Sequence, residues 1–210
     1  MQLSNQKIAG IILFVGSFGF ILAMQVSEFI DGASYNVANN YISDLGTYCA
    51  TNASCIELPS HNLFDISIFL LGLAIAFGSY FLYRAFRNRF FSGLLILSGI
   101  GAMGVGLFPE NYAAEHELFS LVVFLFGGLA AIAAYKIERK PLNYFSPIIG
   151  MFSILMLVCF VAGYDLGIGV GGMERMVAYP VLLWGVGLGA HMIAWDEEIH
   201  SSLASAPPSW

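Results

Sequence analysis

Apolar residues occur along this chain in six long blocks that are separated by short polar segments. The blocks cover residues 8–27, 63–83, 91–108, 118–135, 145–164 and 176–195. A helix needs about 20 residues to cross the hydrocarbon core of a bilayer. The pattern therefore predicts six membrane-spanning helices.

The polar segments between the blocks differ greatly in length. The longest, residues 28–61, contains many Asn, Ser, Asp and Glu residues together with some apolar positions. We expect this segment to form an ordered cap over one end of the helices. The sequence thus predicts a single domain over residues 1–195, followed by a tail over residues 196–210 that is poorly ordered.

Composition supports this interpretation. Of the 210 residues, 58% are hydrophobic and only 10% are charged, and the mean hydropathy is +0.77. A soluble domain would carry about 25% charged residues. The predicted fold class is an all-α, polytopic membrane bundle, and the lack of a basic patch argues against nucleic acid as a partner.

The distribution of basic residues predicts the orientation of the bundle. Seven of the eight Lys and Arg residues fall on one side of the six predicted spans: Lys7, Arg84, Arg87, Arg89, Lys136, Arg139 and Lys140. Loops on the cytoplasmic side of membrane proteins are enriched in Lys and Arg. We therefore expect a multi-pass protein of the cell membrane with both termini in the cytoplasm.

Two cysteines fall in the predicted outer segment. Cys49 and Cys55 are six positions apart, and an oxidising compartment would allow them to form a disulfide. The alternative is two free thiols. Between them, Asn52-Ala53-Ser54 matches the acceptor sequence for N-glycosylation.

Small residues predict how the helices pack. Glycine and alanine are concentrated in the third, fourth and sixth blocks. Membrane helices associate through close van der Waals contact, which small residues permit. We expect these three helices at the centre of the bundle.

Polar side chains are concentrated near the predicted outer ends of the helices. An ionisable residue at membrane depth is a candidate for function, because burying it is costly unless it is paired. The predicted ligand-binding pocket consists of Ser43, Asp44, Asn62, Asp65, Glu110, His116, Glu174 and Arg175. Each of these residues also has a structural interpretation, as a helix cap, a solvated turn or a polar contact between helices.

Three functions are compatible with such a pocket. The leading hypothesis is that it binds a lipid, or a partner membrane protein such as a second copy, without catalysis and without a cofactor. Arg175 would then hold a lipid phosphate or pair with Glu174. The competing hypothesis is a membrane-embedded lipid hydrolase, with His116 as general base or metal ligand and Asp44 or Glu110 as its partner.

A metal site and a transport function have weaker support. His61, Asp65 and His116 are the residue types that bind zinc, although their spacing matches no known metal motif. A small-solute transporter would need a polar site near the middle of the membrane. No charged residue falls clearly there.

Several short motifs occur in an order that resembles a known family. They are Ile42-Ser43-Asp44-Leu45-Gly46, Asn62 with Phe64, Gly106-Leu107-Phe108-Pro109, His116 with Phe119-Ser120, and Gly172-Met173-Glu174-Arg175 before Pro180 and Trp184. Together they resemble the domain-of-unknown-function 998 family of bacterial and archaeal membrane proteins. The resemblance implies a six-helix membrane protein with these motifs on one side. It implies no activity, substrate or cofactor.

Overall fold

A computed structural model describes residues 3–50 and 54–204 of the chain. The six long helices are α1 (Asn5–Asp31), α2 (His61–Phe86), α3 (Arg89–Leu107), α4 (Ala113–Ala133), α5 (Leu142–Val161) and α6 (Gly169–Ala204). Two short strands, β1 (Thr47–Ala50) and β2 (Ser54–Glu57), form an antiparallel hairpin. Within the described residues, all six helices are long and apolar enough to cross a membrane. The predicted fold class is confirmed.

Local sequence signals account for where several helices begin. The side chain of Ser4 accepts a hydrogen bond from the Lys7 amide at 3.1 Å and caps α1. Asn88 caps α3 in the same way, by accepting from the amide of Phe91 at 3.1 Å. Such caps satisfy backbone donors that a helix leaves unpaired at its first turn.

Two helices begin well before the apolar blocks that predict them. α4 begins at Ala113, five residues before its block, and α6 begins at Gly169, seven residues before its block. As a result, His116, Glu174 and Arg175 lie on helices, where the helix backbone fixes the direction of their side chains.

α6 also continues to Ala204 and does not end near Trp195. Polar contacts to α1 and to the 137–141 loop hold this extension. Lys7 pairs with Glu197 at 2.8 Å, and Arg139 pairs with Glu198 at 3.1 Å. The hydrophobic pattern could not show these pairs, because they join residues that are far apart in sequence.

The six helices form a closed ring. Each helix packs against its neighbours in sequence, and α6 returns to pack against α1. The prediction that α3, α4 and α6 form the centre is wrong, because α4 and α6 make few contacts with each other. Their small residues instead serve contacts between adjacent helices around the ring.

Glycine pairs show how close these contacts are. A Cβ atom added to Gly10 would lie 2.7 Å from the carbonyl oxygen of Gly189, where α1 meets α6. A Cβ on Gly99 would lie 2.8 Å from the carbonyl oxygen of Gly72, where α3 meets α2. Only glycine permits this approach of the two backbones, as is common in membrane bundles.

Because six helices cross the bundle in alternating directions, both termini lie at one end. We call this the terminal end; it includes the 87–88 and 134–141 connections. The opposite end, which carries residues 32–60, 108–112 and 162–168, is called the hairpin end. Which end faces the cytoplasm remains a prediction from the basic residues.

The cap at the hairpin end is tied down at several points. A disulfide joins Cys49 to Cys55, which lie opposite each other in the hairpin. The buried carboxylate of Asp31, at the end of α1, accepts hydrogen bonds from the amide and hydroxyl of Ser60 at 3.1 and 2.5 Å. The predicted glycosylation residue, Asn52, lies outside the described residues.

Candidate functional site

Arg175, in the second turn of α6, anchors the segment 35–40 to the bundle. Its guanidinium donates to the carbonyl oxygens of Val37, Asn40 and Gly171 at 3.0–3.1 Å, to Glu28 at 2.7 Å, and to the hydroxyl of Tyr35. The side chains of Arg175 and Glu28 are only 5% and 15% exposed. The additional hydrogen bonds to the guanidinium offset part of the cost of burying this ion pair.

These contacts change the role that the sequence suggested for Arg175. Its ion-pair partner is Glu28, on α1, and not the adjacent Glu174. Both terminal nitrogens already donate hydrogen bonds to protein atoms, while none of the described residues accepts a hydrogen bond from the buried Nε. The structure therefore places Arg175 beneath the cap as a structural anchor.

Glu174 points to the other side of the cap. It is buried, with 6% exposure, and one carboxylate oxygen accepts a hydrogen bond from the backbone amide of Ile42. Adjacent residues of α6 thus hold two successive parts of the same segment. Glu174 also lines a cavity that Arg175 does not reach.

Ser43, Asp44 and Glu110 form a polar group next to Glu174. The hydroxyl of Ser43 donates to Glu110 at 2.6 Å. The Asp44 carboxylate accepts from the Asn40 side chain at 2.9 Å and from the Tyr41 amide at 2.8 Å. We call Ser43, Asp44, Glu110 and Glu174 the hairpin-end cluster.

The electrostatics of this cluster favour protonation. Burial and, to a lesser extent, the nearby carboxyl group of Glu110 raise the pKa of Asp44 from its ordinary value of 3.8 to about 7. Burial also raises the pKa of Tyr41, with the three carboxyl groups of the cluster as additional causes. The surroundings of the cluster therefore favour the protonated form of Asp44.

His116, on the second turn of α4, lies on the wall of the same cavity. Its side chain is 8% exposed. The ring nitrogen Nδ1 is 2.9 Å from the carbonyl oxygen of Phe108, at the end of α3. This contact fixes the orientation of the ring.

The cavity at this end has a volume of about 620 Å³. Its polar wall includes Ser43, Glu110, Glu174 and His116, and its apolar wall is formed by Leu121, Phe124, Leu157, Phe160 and Val161. The apolar wall belongs to α4 and α5. Because Leu121 and Val161 are also 44% and 71% exposed, the cavity reaches the lipid-facing surface between these helices.

The remaining predicted site residues lie elsewhere. Asn62 is exposed at the start of α2. His61 contacts Glu57 at 3.4 Å, and Asp65 lies against Gly46 under the cap. Of the eight predicted pocket residues, the cavity wall includes Ser43, Glu110, His116 and Glu174, with Asp44 directly behind them.

The suggested metal site does not form. His61 and His116 each bond a different backbone carbonyl, those of Leu58 and Phe108. Among the described residues, no three His, Cys, Asp or Glu side chains are grouped so that they could hold a metal ion. The set His61, Asp65 and His116 is therefore wrong as a metal site.

One buried carboxyl group that was not among the predicted site residues, Glu138, lies at the terminal end. Glu138 is 7% exposed and accepts hydrogen bonds from the hydroxyl of Ser146 and from the indole N–H of Trp184, the latter at 3.3 Å. We call these three residues the terminal-end cluster. Glu138 lies between Lys136 and Arg139 in a short polar turn. Nothing in the sequence distinguishes it there from a solvent-exposed charge.

Comparison with known proteins places the chain in a family. The fold is that of a multi-pass membrane protein with a polar cavity at one end. The model of the family described as "Protein of unknown function (DUF998)" matches residues 9–191. The chain belongs to this family, as its motifs suggested. In the same comparisons, no curated protein and no solved structure matches it.

Proposed function

We propose that this protein binds a membrane lipid whose headgroup occupies the cavity at the hairpin end. The observation that carries the proposal is the division of one cavity into a carboxyl-rich wall and an apolar wall. Ligand sites combine such apolar surface with a few polar groups that fix orientation. The apolar wall is continuous with the lipid-facing surface, which gives a lipid a lateral route of entry.

The polar groups favour a headgroup that donates hydrogen bonds. The wall contains Glu110 and Glu174 with Asp44 behind them, and no Lys or Arg is found among the described residues that line it. Arg175 is engaged with Glu28 and backbone carbonyls. An amine or hydroxyl group would therefore be preferred over an anionic group placed against the carboxylates.

Lipid retention by two matched variants tests this proposal. Val161 lines the cavity, whereas Val158 is on the same helix, is 60% exposed and is not part of the cavity wall. Val161→Trp should reduce the lipid that remains bound in native mass spectrometry by about tenfold, equivalent to about 1.4 kcal/mol. Val158→Trp should leave it unchanged. Equal retention in both variants would place the lipid outside this cavity.

One observation supports a second candidate function, hydrolysis of a lipid. Ser43 donates to Glu110 at 2.6 Å, and the pKa of the adjacent Asp44 is raised to about 7. A carboxyl group with a pKa near neutrality suits general acid–base chemistry. Asp44→Asn should then abolish turnover of a lipid ester by the purified protein while lipid binding persists. Turnover that is equal in the wild type and the variant would exclude Asp44 from the reaction.

A further inference from the structure

The short connection between α2 and α3 carries three arginines, Arg84, Arg87 and Arg89, within six residues. All three side chains are exposed. Two other basic residues of the terminal end, Lys7 and Arg139, pair with glutamates. Among the described residues, no ion pair involves the three arginines. Their positive charge is therefore available to a partner outside the described part of the chain.

Two tyrosines on the last turns of α2 hold these guanidiniums together. Arg84 donates to the hydroxyl of Tyr80 at 2.9 Å, and its guanidinium carbon is 5.9 Å from the centre of that ring. The guanidinium carbon of Arg87 is 5.8 Å from the centre of the Tyr83 ring, and the hydroxyl of Tyr83 is also near Arg89. Residues three or four positions apart lie on one face of a helix. These five residues therefore share one side of the connection, which we call the arginine surface.

An apolar surface continues from the arginine surface toward the middle of the membrane. Phe77 lies three residues before Tyr80, on the same face of α2, and the two side chains are 59% and 48% exposed. Tyrosine is typical of the depth at which the hydrocarbon core meets the headgroups. Along this face, an apolar ring is thus followed by tyrosines and then by arginines. The order matches that of acyl chain, glycerol backbone and phosphate in a phospholipid.

The backbone of Arg87 favours a role for its side chain beyond the connection itself. Arg87 is the C-cap of α2 and has a φ of 55°. Glycine is the usual residue at such a left-handed position, because it has no Cβ to oppose this conformation. Arginine keeps a guanidinium at a place where glycine would suit the backbone better.

We propose that the arginine surface binds the phosphate of an anionic phospholipid in the leaflet at the terminal end. A guanidinium presents planar, paired N–H donors that match the oxygens of a phosphate. Basic residues next to a membrane span also attract anionic lipids by charge. A zwitterionic headgroup carries its own cation, which the arginines would repel. The arginine surface shares no residue with the hairpin-end cavity or the terminal-end cluster, so this inference goes beyond the proposed function.

Titration with defined lipids, followed by native mass spectrometry, tests the headgroup. The full-length protein is delipidated in detergent and titrated with dioleoyl phosphatidylglycerol or dioleoyl phosphatidylcholine. Because the acyl chains are identical, a difference in affinity reports the headgroup alone. We expect phosphatidylglycerol to bind about tenfold more tightly. Equal affinities would overturn the preference for an anionic headgroup.

A matched pair of double variants separates a local site from net charge. Arg84→Gln with Arg87→Gln removes two charges from the arginine surface, and Lys136→Gln with Lys140→Gln removes two exposed charges from another connection at the same end. The arginine variant should weaken phosphatidylglycerol binding by about tenfold, and the lysine variant should change it by less than about twofold. Equal weakening would show that only the net charge of this end matters, and would overturn the site.

Variants that keep the charge cover a low yield of the glutamine variant. Arg84→Lys with Arg87→Lys retains both charges but loses the paired donors of the guanidiniums. This variant should bind phosphatidylglycerol more weakly than the wild type and more tightly than the glutamine variant. Unchanged binding would overturn the recognition of phosphate by the guanidiniums.

Two further outcomes would place the ligand elsewhere or change its source. Displacement of phosphatidylglycerol by millimolar inorganic phosphate would assign the surface to free phosphate, which cannot use the apolar contact with Phe77. Val161→Trp, which tests the hairpin-end cavity, should leave phosphatidylglycerol binding unchanged. Weaker binding in Val161→Trp would place this lipid in the hairpin-end cavity and overturn the present inference while the proposed function stands.

Discussion

The two ends of the bundle each bury carboxyl groups, but they satisfy them differently. At the terminal end, Glu138 receives hydrogen bonds from both Ser146 and Trp184, and the Trp184 N–H is also 3.0 Å from the Ser146 hydroxyl. Glu138, Ser146 and Trp184 do not line the cavity at the hairpin end. Burial raises the pKa of Glu138, and the hydrogen bonds from Ser146 and Trp184 offset part of this increase. This closed arrangement serves the fold.

At the hairpin end, the carboxyl groups of the cluster accept hydrogen bonds from neutral donors and lie beside a cavity. Asp44, Glu110 and Glu174 lie near one another, and the nearest buried cation, Arg175, is paired with Glu28. Two of these carboxyl groups face open space. The comparison indicates that a buried carboxyl group with complete bonding stabilises a membrane bundle, whereas one that faces a cavity is available to a ligand.

Breaking the anchor of the hairpin end should have the largest effect. Arg175→Ala removes the partner of Glu28, which would remain buried and unpaired, and it frees the segment 35–40. We expect a loss of about 3–5 kcal/mol in unfolding free energy, measured by denaturation in mild detergent.

Arg139→Ala is the matched control at the terminal end. Arg139 also pairs with a glutamate, Glu198, but the two side chains are 47% and 75% exposed. An exposed pair contributes about 0–1 kcal/mol. If the two variants lose similar stability, burial is not what distinguishes the two ends.

The features that could be predicted from sequence are those that depend on the hydrophobicity and charge of residues close together in the chain. Six apolar blocks indicated six helices, and polar residues at one set of helix ends indicated Ser43, Glu110, His116 and Glu174 as neighbours. The disulfide between Cys49 and Cys55 followed from two cysteines close together in one loop. Each of these predictions depends on spacing along the chain.

The features that could not be predicted depend on contacts between distant residues. Arg175 and Glu28 are separated by 147 positions, and nothing in the sequence chooses Glu28 over the adjacent Glu174. The central position assigned to α3, α4 and α6 failed for a related reason. Small residues show that a helix is packed closely, but not which neighbour it meets.

The terminal-end cluster should respond to mutation as a structural element. Glu138→Ala leaves the Trp184 N–H and the Ser146 hydroxyl without their buried acceptor, which should lower the unfolding free energy by about 1–3 kcal/mol. Glu138→Gln retains an acceptor and should lower it less. Lipid retention in native mass spectrometry should not change in either variant.

Glu197→Ala is the corresponding surface control. Glu197 is 63% exposed and pairs with Lys7, so its removal should alter stability by less than about 1 kcal/mol. Reduced lipid retention in Glu138→Gln, with stability intact, would contradict the separation of the two ends into structural and ligand-binding clusters.

The smallest effect is expected from Asp44, and its sign depends on pH. The pKa of Asp44 is raised from 3.8 to about 7, so between these values the folded protein keeps a proton that the unfolded chain releases. The free energy of unfolding must then fall as the pH rises from about 4 to about 7 and level off above pH 7.

Asp44→Asn removes this loss of stability, and the Asn side chain can still accept hydrogen bonds from Asn40 and Tyr41. The variant should be more stable than the wild type by about 1–2 kcal/mol at pH 8, a value discounted for water in the cavity, and nearly equal to it at pH 4. Thermal unfolding at pH 4, 6 and 8 measures the difference, with Asp165→Asn, in an exposed loop, as a control expected to stay within about 0.5 kcal/mol. A variant that is less stable than the wild type at pH 8 would show that the Asp44 carboxylate is compensated, and the contrast with Glu138 would then disappear.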